Sequence, residues 1–194
     1  MTDQNQDNVN ITQQDRAIKV MRVAAGWDIK SFSGEDNADV DLSCFLLGAN
    51  GETREDPDFV FYNNLMSGDM SVRHAGDNRD GLGEGDDEAI IVDTNSLSYE
   101  IYKIVFVVSI YMADSKDQNF SHIDNAFVRV VNEDTDAEIL REDMTESFAD
   151  ATAVEFCELE RVGSEWYFQK TYIPANGGLK EIAEKYGCQI TTIG

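Results

Sequence analysis

Short runs of β-branched and aromatic residues, each four to ten long and separated by polar or glycine-bearing breaks, recur along the chain and restrict its fold more than any other feature. The runs are Asp39–Leu47, Asp58–Phe61, Ala89–Asp93, Lys103–Ile110, Ala126–Asn132, Ala153–Arg161 and Trp166–Tyr172. Their length suits strands and is too short for the helices of a bundle. Ile18, Val20 and Met21–Val23 form a further apolar segment, which Gly26-Trp27-Asp28 follows as a turn. Asn50-Gly51 and Arg161–Glu165 read as hairpin connections. Leu179, Ile182, Ala183 and Tyr186 fall at helical spacing and predict a helix over 178–186 that stops at Gly187, and a single helical turn is expected near Phe120–Ile123. Many strands and few helices predict an all-β fold, a two-sheet β-sandwich with a short C-terminal helix and with loops gathered at its ends.

The chain's 194 residues suit one domain, expected over 17–194. Residues 1–16 are rich in Asn, Gln and Asp and read as a flexible leader or as a weak first strand near Val9–Ile11. The apolar fraction of 42% separates the chain from disordered acidic proteins. The longest apolar stretch, Ile104–Met112, is too short to cross a bilayer, so insertion into a membrane is not expected. Cys44, Cys157 and Cys188 are odd in number and widely spaced, which argues against a disulfide framework or a zinc site and for a reducing, cytoplasmic compartment. A net charge of −23 repels phosphate backbones and excludes nucleic acid as a natural partner.

The acidity is concentrated. Between Gly76 and Glu88 the chain carries Asp77, Asp80, Glu84, Asp86, Asp87 and Glu88 with the amide of Asn78, on a backbone broken by Gly81, Gly83 and Gly85. Glycine permits the reversals that turn neighbouring carboxylates toward one point, where they repel one another unless a cation lies between them. A hard cation taking six to eight oxygens in flexible geometry fits such a loop, so Ca²⁺ is expected ahead of Mg²⁺, and soft metals are disfavoured because no His or Cys belongs to the cluster. Arg79, Gly81 and Leu82 break the EF-hand pattern. Asp39 and Asp41 form a second acidic point, placed by strand alternation on one face of an apolar segment. Asp114 and Asp117 are a weaker candidate pair in a loop. His74 and His122 stand apart from each other and from the cysteines, so no catalytic constellation is visible; His74 is read as the holder of a structural hydrogen bond or a raised pKa.

Gly26-Trp27-Asp28, Asp39–Leu47, Asp58–Leu65, Gly76-Asp77-Asn78 with Gly85–Glu88, Lys103–Val108, Asn125–Arg129, Gly177-Gly178-Leu179 and Tyr186-Gly187 together resemble the TerD family. The resemblance covers about Met21 to Gly187. It implies a calcium-binding β-sandwich of bacterial stress systems linked to tellurite resistance, a binding and regulatory module and not an enzyme. The metal-ligating set it implies, together with the acidic loop, is Asp39, Asp41, Asp77, Asn78, Gly83, Glu84, Asp86, Asp87 and Glu88. Leu82 stands where the family commonly has Glu, and Glu84 where it commonly has Asp. The partners implied are other proteins, among them further tellurium-resistance components or a membrane-bound complex. The alternative is a receptor for a small ligand of the cyclic-nucleotide kind, which a eukaryotic relative suggests and for which Arg73 and Arg79 flank the loop.

Overall fold

The computed structural model describes residues 8–30, 37–76, 85–144 and 148–188. Their strands are β1 (Asn8–Asn10), β2 (Val20–Ile29), β3 (Val40–Leu47), β4 (Phe59–Val60), β5 (Val72–His74), β6 (Glu88–Asp93), β7 (Lys103–Ile110), β8 (Ile123–Asn132), β9 (Ala137–Asp143), β10 (Ala153–Val162) and β11 (Glu165–Ala175). Three helices, α1 (Ile11–Gln14), α2 (Ala113–Lys116) and α3 (Gly178–Lys185), are short. One sheet has the order β1-β11-β10-β7-β3-β4 and the other β5-β6-β2-β8-β9, with antiparallel pairing throughout. This is the expected two-sheet sandwich.

Alternation along the strands divides the apolar residues into two cores. Leu42, Cys44 and Leu46 of β3 meet Val23, Ala25 and Trp27 of β2 and Ile90 and Val92 of β6 between the sheets. The opposite face of β3 and β7, with Phe45, Leu47, Val105 and Val107, would be wet in a bare sandwich. It is covered instead by Leu179, Ile182, Ala183 and Tyr186 of the C-terminal segment, and this is why the chain needs the apolar stripe of α3. Phe120–His122 forms the expected single turn, of 3-10 type. Cys44, Cys157 and Cys188 are free and buried.

Three readings change. Gly26-Trp27-Asp28 is not a turn: β2 runs straight through it, and its pairing with β8 slips between Gly26 and Asp28 in a bulge. Asp58–Phe61 is not a full strand; a 3-10 turn over Asp56–Asp58 precedes a two-residue β4, because the buried Asp58 carboxylate folds back onto the Arg54 guanidinium at 2.8 and 2.9 Å and its backbone amide at 3.0 Å. Asp114 lies in α2, not in a plain loop. For the residues before Asp15, the weak-strand reading fits Asn8–Asn10, which pair with Tyr167–Gln169, and Ile11 is fully buried.

Candidate functional site: the acidic loop and its two anchors

Asp77, Asn78, Gly83 and Glu84 lie outside the described residues; the flanks of their loop do not. At its entry stand β5 and Gly76, at its exit Gly85, Asp86, Asp87 and then β6. Gly76 and Gly85 both have positive φ, 139° and 122°, a region side-chain-bearing residues avoid, so glycine is required where the chain leaves and rejoins the sheet.

The exit is fixed against the centre of the five-stranded sheet. The Asp87 amide donates to Ala25 O at 2.9 Å, and Asp87 Oδ2 accepts from the Trp27 amide at 2.8 Å. These contacts occupy Ala25 O and the Trp27 amide on the β6 side of β2, just past the last β2–β6 pair at Ala25 and Glu88, which gives Gly26-Trp27-Asp28 its local role. Gly26 itself is a close-approach glycine: a Cβ there would sit 2.4 Å from the Phe127 ring and 2.6 Å from the Gly85 carbonyl oxygen. Burial pushes the Asp87 carboxyl above its ordinary range; the Trp27 hydrogen bond opposes this, and the charges of Asp28 and Asp86 add to it. Asp28 is therefore part of the acidic group. It was legible only as a member of the Gly-Trp-Asp triplet. Asp86 is held differently, by a two-pronged pair with Arg129 at 2.6 and 2.8 Å, while Arg129 also reaches Glu138 at 3.0 Å.

Glu88 occupies an interior position in line with Ile90 and Val92 and is 3% exposed. Its Oε2 accepts the Leu42 amide of the facing sheet at 2.6 Å. His74, also buried, places Nε2 3.0 Å from Leu42 O and 3.4 Å from Glu88 Oε2. The Gly76 amide donates to His74 Nδ1 at 3.2 Å, so Nδ1 is the acceptor and Nε2 carries the proton that goes to Leu42 O. The structural hydrogen bond expected of His74 is thus a pair of bonds.

Asp39 and Asp41 sit elsewhere. Val40 and Leu42 enter the core between the sheets, so Asp41 faces the α3 side, opposite Ser109. It lines a cavity of about 250 Å³ with Tyr62, Ser109, Tyr111, Thr152 and Leu179 among the described residues. The Asp39 carbonyl accepts the Tyr111 amide at 2.7 Å. Arg73 lies exposed on β5. Among the described residues, no three His, Cys, Asp or Glu converge as a metal-binding group. Asp28, Asp86 and Asp87 at the loop exit supply carboxylate oxygens, which fits a hard cation, and a full ligand shell would draw on the loop as well.

The sequence pattern of the TerD domain matches residues 3–186. A tellurium resistance protein TerD of Serratia marcescens is 43% identical over 180 residues, 93% of each chain. This chain belongs to the TerD family. General stress protein 16U of Bacillus subtilis is 42% identical, with 94% of both chains covered. A crystal structure of a homologue of telluride resistance protein (TerD) from Streptomyces coelicolor A3(2), 22% identical, superposes with a TM-score of 0.70 over 89% of this chain and all of that one, and shares the fold. The TerD relatives are thus tellurium-resistance and stress-response proteins, as the motifs predicted. Of the predicted site residues, the structure groups Asp86, Asp87 and Glu88 at the loop exit and sets Asp41 on the far face of β3. Asp28, Arg129 and the glycine at 26 are additions to that set. No helix among the described residues is long and apolar enough to cross a membrane.

Proposed function

We propose that this chain is a cytoplasmic calcium-binding module of the tellurium-resistance and stress-response type, in which Ca²⁺ orders the acidic loop and the ordered loop presents a surface to a protein partner, free or part of a membrane-bound complex. The observation that carries the reading is the crowding at the loop exit. Asp87 is half-buried beside Asp28 and Asp86, an arrangement that disfavours its charged form and that a bound cation would relieve, with the charge of Asp86 offset in part by Arg129. Asp86 and Asp87 from the exit, with Asp77, Asn78, Gly83 and Glu84 from the loop, would hold the ion. The ion itself would supply the charge that draws the loop together. The chain's own part is to hold the exit still, through the Trp27 and Ala25 bonds to Asp87 and the Arg129 fork on Asp86.

The reading is of a binding module and not an enzyme. Both histidines are engaged in hydrogen bonds that hold backbone: His74 as above, and His122 through Nδ1, 3.0 Å from Asn119 O. The names of the Serratia and Bacillus relatives support a role in tellurium resistance or general stress.

Titration calorimetry in about 0.15 M salt, near physiological screening, tests the metal. Ca²⁺ is expected to bind and to stabilise the fold by RT ln(1 + [L]/Kd), about 2.7 kcal/mol at a hundredfold excess over Kd, with Mg²⁺ doing much less. Asp87→Asn is expected to weaken binding at least tenfold. Asp136→Asn removes the same charge from an exposed turn where Asp136 pairs with Arg22, and should leave affinity unchanged. Equal affinities for the two variants would mean diffuse counter-ion attraction.

A further inference from the structure

Both ends of the acidic loop are tied to the backbone of one residue of the opposite sheet, Leu42. His74, two residues before the loop's entry glycine, binds Leu42 O, and Glu88, the residue after its exit, binds Leu42 N–H. We propose that His74 and Glu88 form a clasp that positions the loop for cation binding, and that Glu88 is a positioning residue and not a ligand of the ion. The proposal rests on the calcium reading above.

The topology explains why such a clasp exists. On the side of β3 away from β7, β4 pairs only at Cys44 and Phe45. Two residues before Cys44, Leu42 presents its N–H and C=O along the open edge of β3, where no strand among the described residues receives them, and unpaired buried backbone groups cost about 1–3 kcal/mol each. An imidazole N–H and a carboxylate oxygen take the place of that strand. Neither side chain belongs to the sheet it completes: both come from the five-stranded sheet, from neighbouring strands β5 and β6. The bonds therefore span the gap between sheets at the same point where the loop departs.

Chemistry separates Glu88 from Asp86 and Asp87. Its side chain points inward with Ile90 and Val92 of the same strand, while Asp87 bonds the amide of Trp27 on β2. At Oε2 this carboxylate is bound at 2.6 Å by a backbone N–H and approached at 3.4 Å by the His74 ring, partners of the kind a buried anion oxygen requires. Gly76 N–H, bonded to His74 Nδ1, extends the clasp to the loop's first residue.

The test compares Ca²⁺ affinity with hydrogen exchange at the Leu42 amide. Glu88→Gln keeps an acceptor oxygen and removes the charge; it is expected to bind Ca²⁺ within about threefold of wild type and to keep Leu42 protected. His74→Phe fills the same space without either bond; it is expected to lower Ca²⁺ affinity about tenfold and to lose at least tenfold of the Leu42 protection, while His74→Gln recovers part of both. A loss of Ca²⁺ binding in Glu88→Gln as large as in Asp87→Asn would make Glu88 a ligand and overturn the proposal. So would wild-type affinity in His74→Phe. If wild-type protein took up no Ca²⁺, the calcium reading would fail, and with it the positioning role, whereas the Leu42 exchange would still report whether the clasp exists.

Discussion

At the scale of single residues, composition and spacing pointed to the acid-bearing side chains of the loop, of which Asp86, Asp87 and Glu88 lie among the described residues. What was not legible is what holds them. Gly26-Trp27-Asp28 was read as a turn, yet Trp27 continues the inward alternation of Val23 and Ala25, and the bulge in the pairing with β8 leaves the strand intact. The close approach at Gly26 decides a prediction. Gly26→Ala places a methyl carbon 2.4 Å from the Phe127 ring and 2.6 Å from the Gly85 carbonyl, and the second of these is backbone that cannot swing aside. Overpacking of this kind costs roughly 1–3 kcal/mol. Because Gly85 begins the loop exit, the same variant should also weaken Ca²⁺ binding several-fold. Urea unfolding with and without Ca²⁺ measures both; unchanged stability would mean that the exit has room to move.

Elements were legible in proportion to how apolar they are. The reading placed β7 residue for residue and β3, β6, β10 and β11 within a few residues of their ends, since each carries a buried face. It missed β5, three residues long, and β9, whose sequence Ala-Glu-Ile-Leu-Arg-Glu-Asp is largely exposed at a sheet edge, where charge replaces the apolar signal. α3 was legible from its spacing, but the buried charge it settles on was not. Glu155, 3% exposed, receives Lys185 Nζ at 2.5 Å and the Tyr186 hydroxyl at 2.9 Å. Burial, and then the charge of Glu155, pushes the Tyr186 phenol far above its ordinary range, which keeps it a donor to Glu155. Two substitutions separate packing from hydrogen bonding in this element. Ile182→Ala, at a 2% exposed position, should cost about 2–4 kcal/mol. Tyr186→Phe should cost about 1–2 kcal/mol, since Lys185 still pairs with Glu155. Chemical denaturation of the two variants checks the order, and a larger loss in Tyr186→Phe would show that the hydrogen bond outweighs the apolar seam.

Over the whole molecule, 38 acidic residues face 15 basic ones, and several of the basic residues are already committed to close pairs. Arg129 with Asp86 and Glu138, Arg54 with Asp58, Lys103 with Glu158 and Lys185 with Glu155 all lie within 2.5–3.0 Å and are partly shielded from solvent. The excess acid acts at longer range. Two like charges 20 Å apart in water repel by roughly 0.2 kcal/mol, small for a pair but summed over many pairs at a net charge of −23. Raising ionic strength from about 0.01 to 0.15 M shortens the Debye length from about 30 to 8 Å, which removes most of that repulsion and leaves the contact pairs largely intact. Sodium chloride over this range is therefore expected to raise the thermal midpoint, by about 2–8 °C if the relief is about 1–2 kcal/mol. A protein held chiefly by exposed ion pairs would move the other way, and a falling midpoint would reverse the assignment. Above 0.15 M this general effect is nearly exhausted. A further rise on adding Ca²⁺ at constant ionic strength, absent with Mg²⁺, then reports coordination by the loop alone.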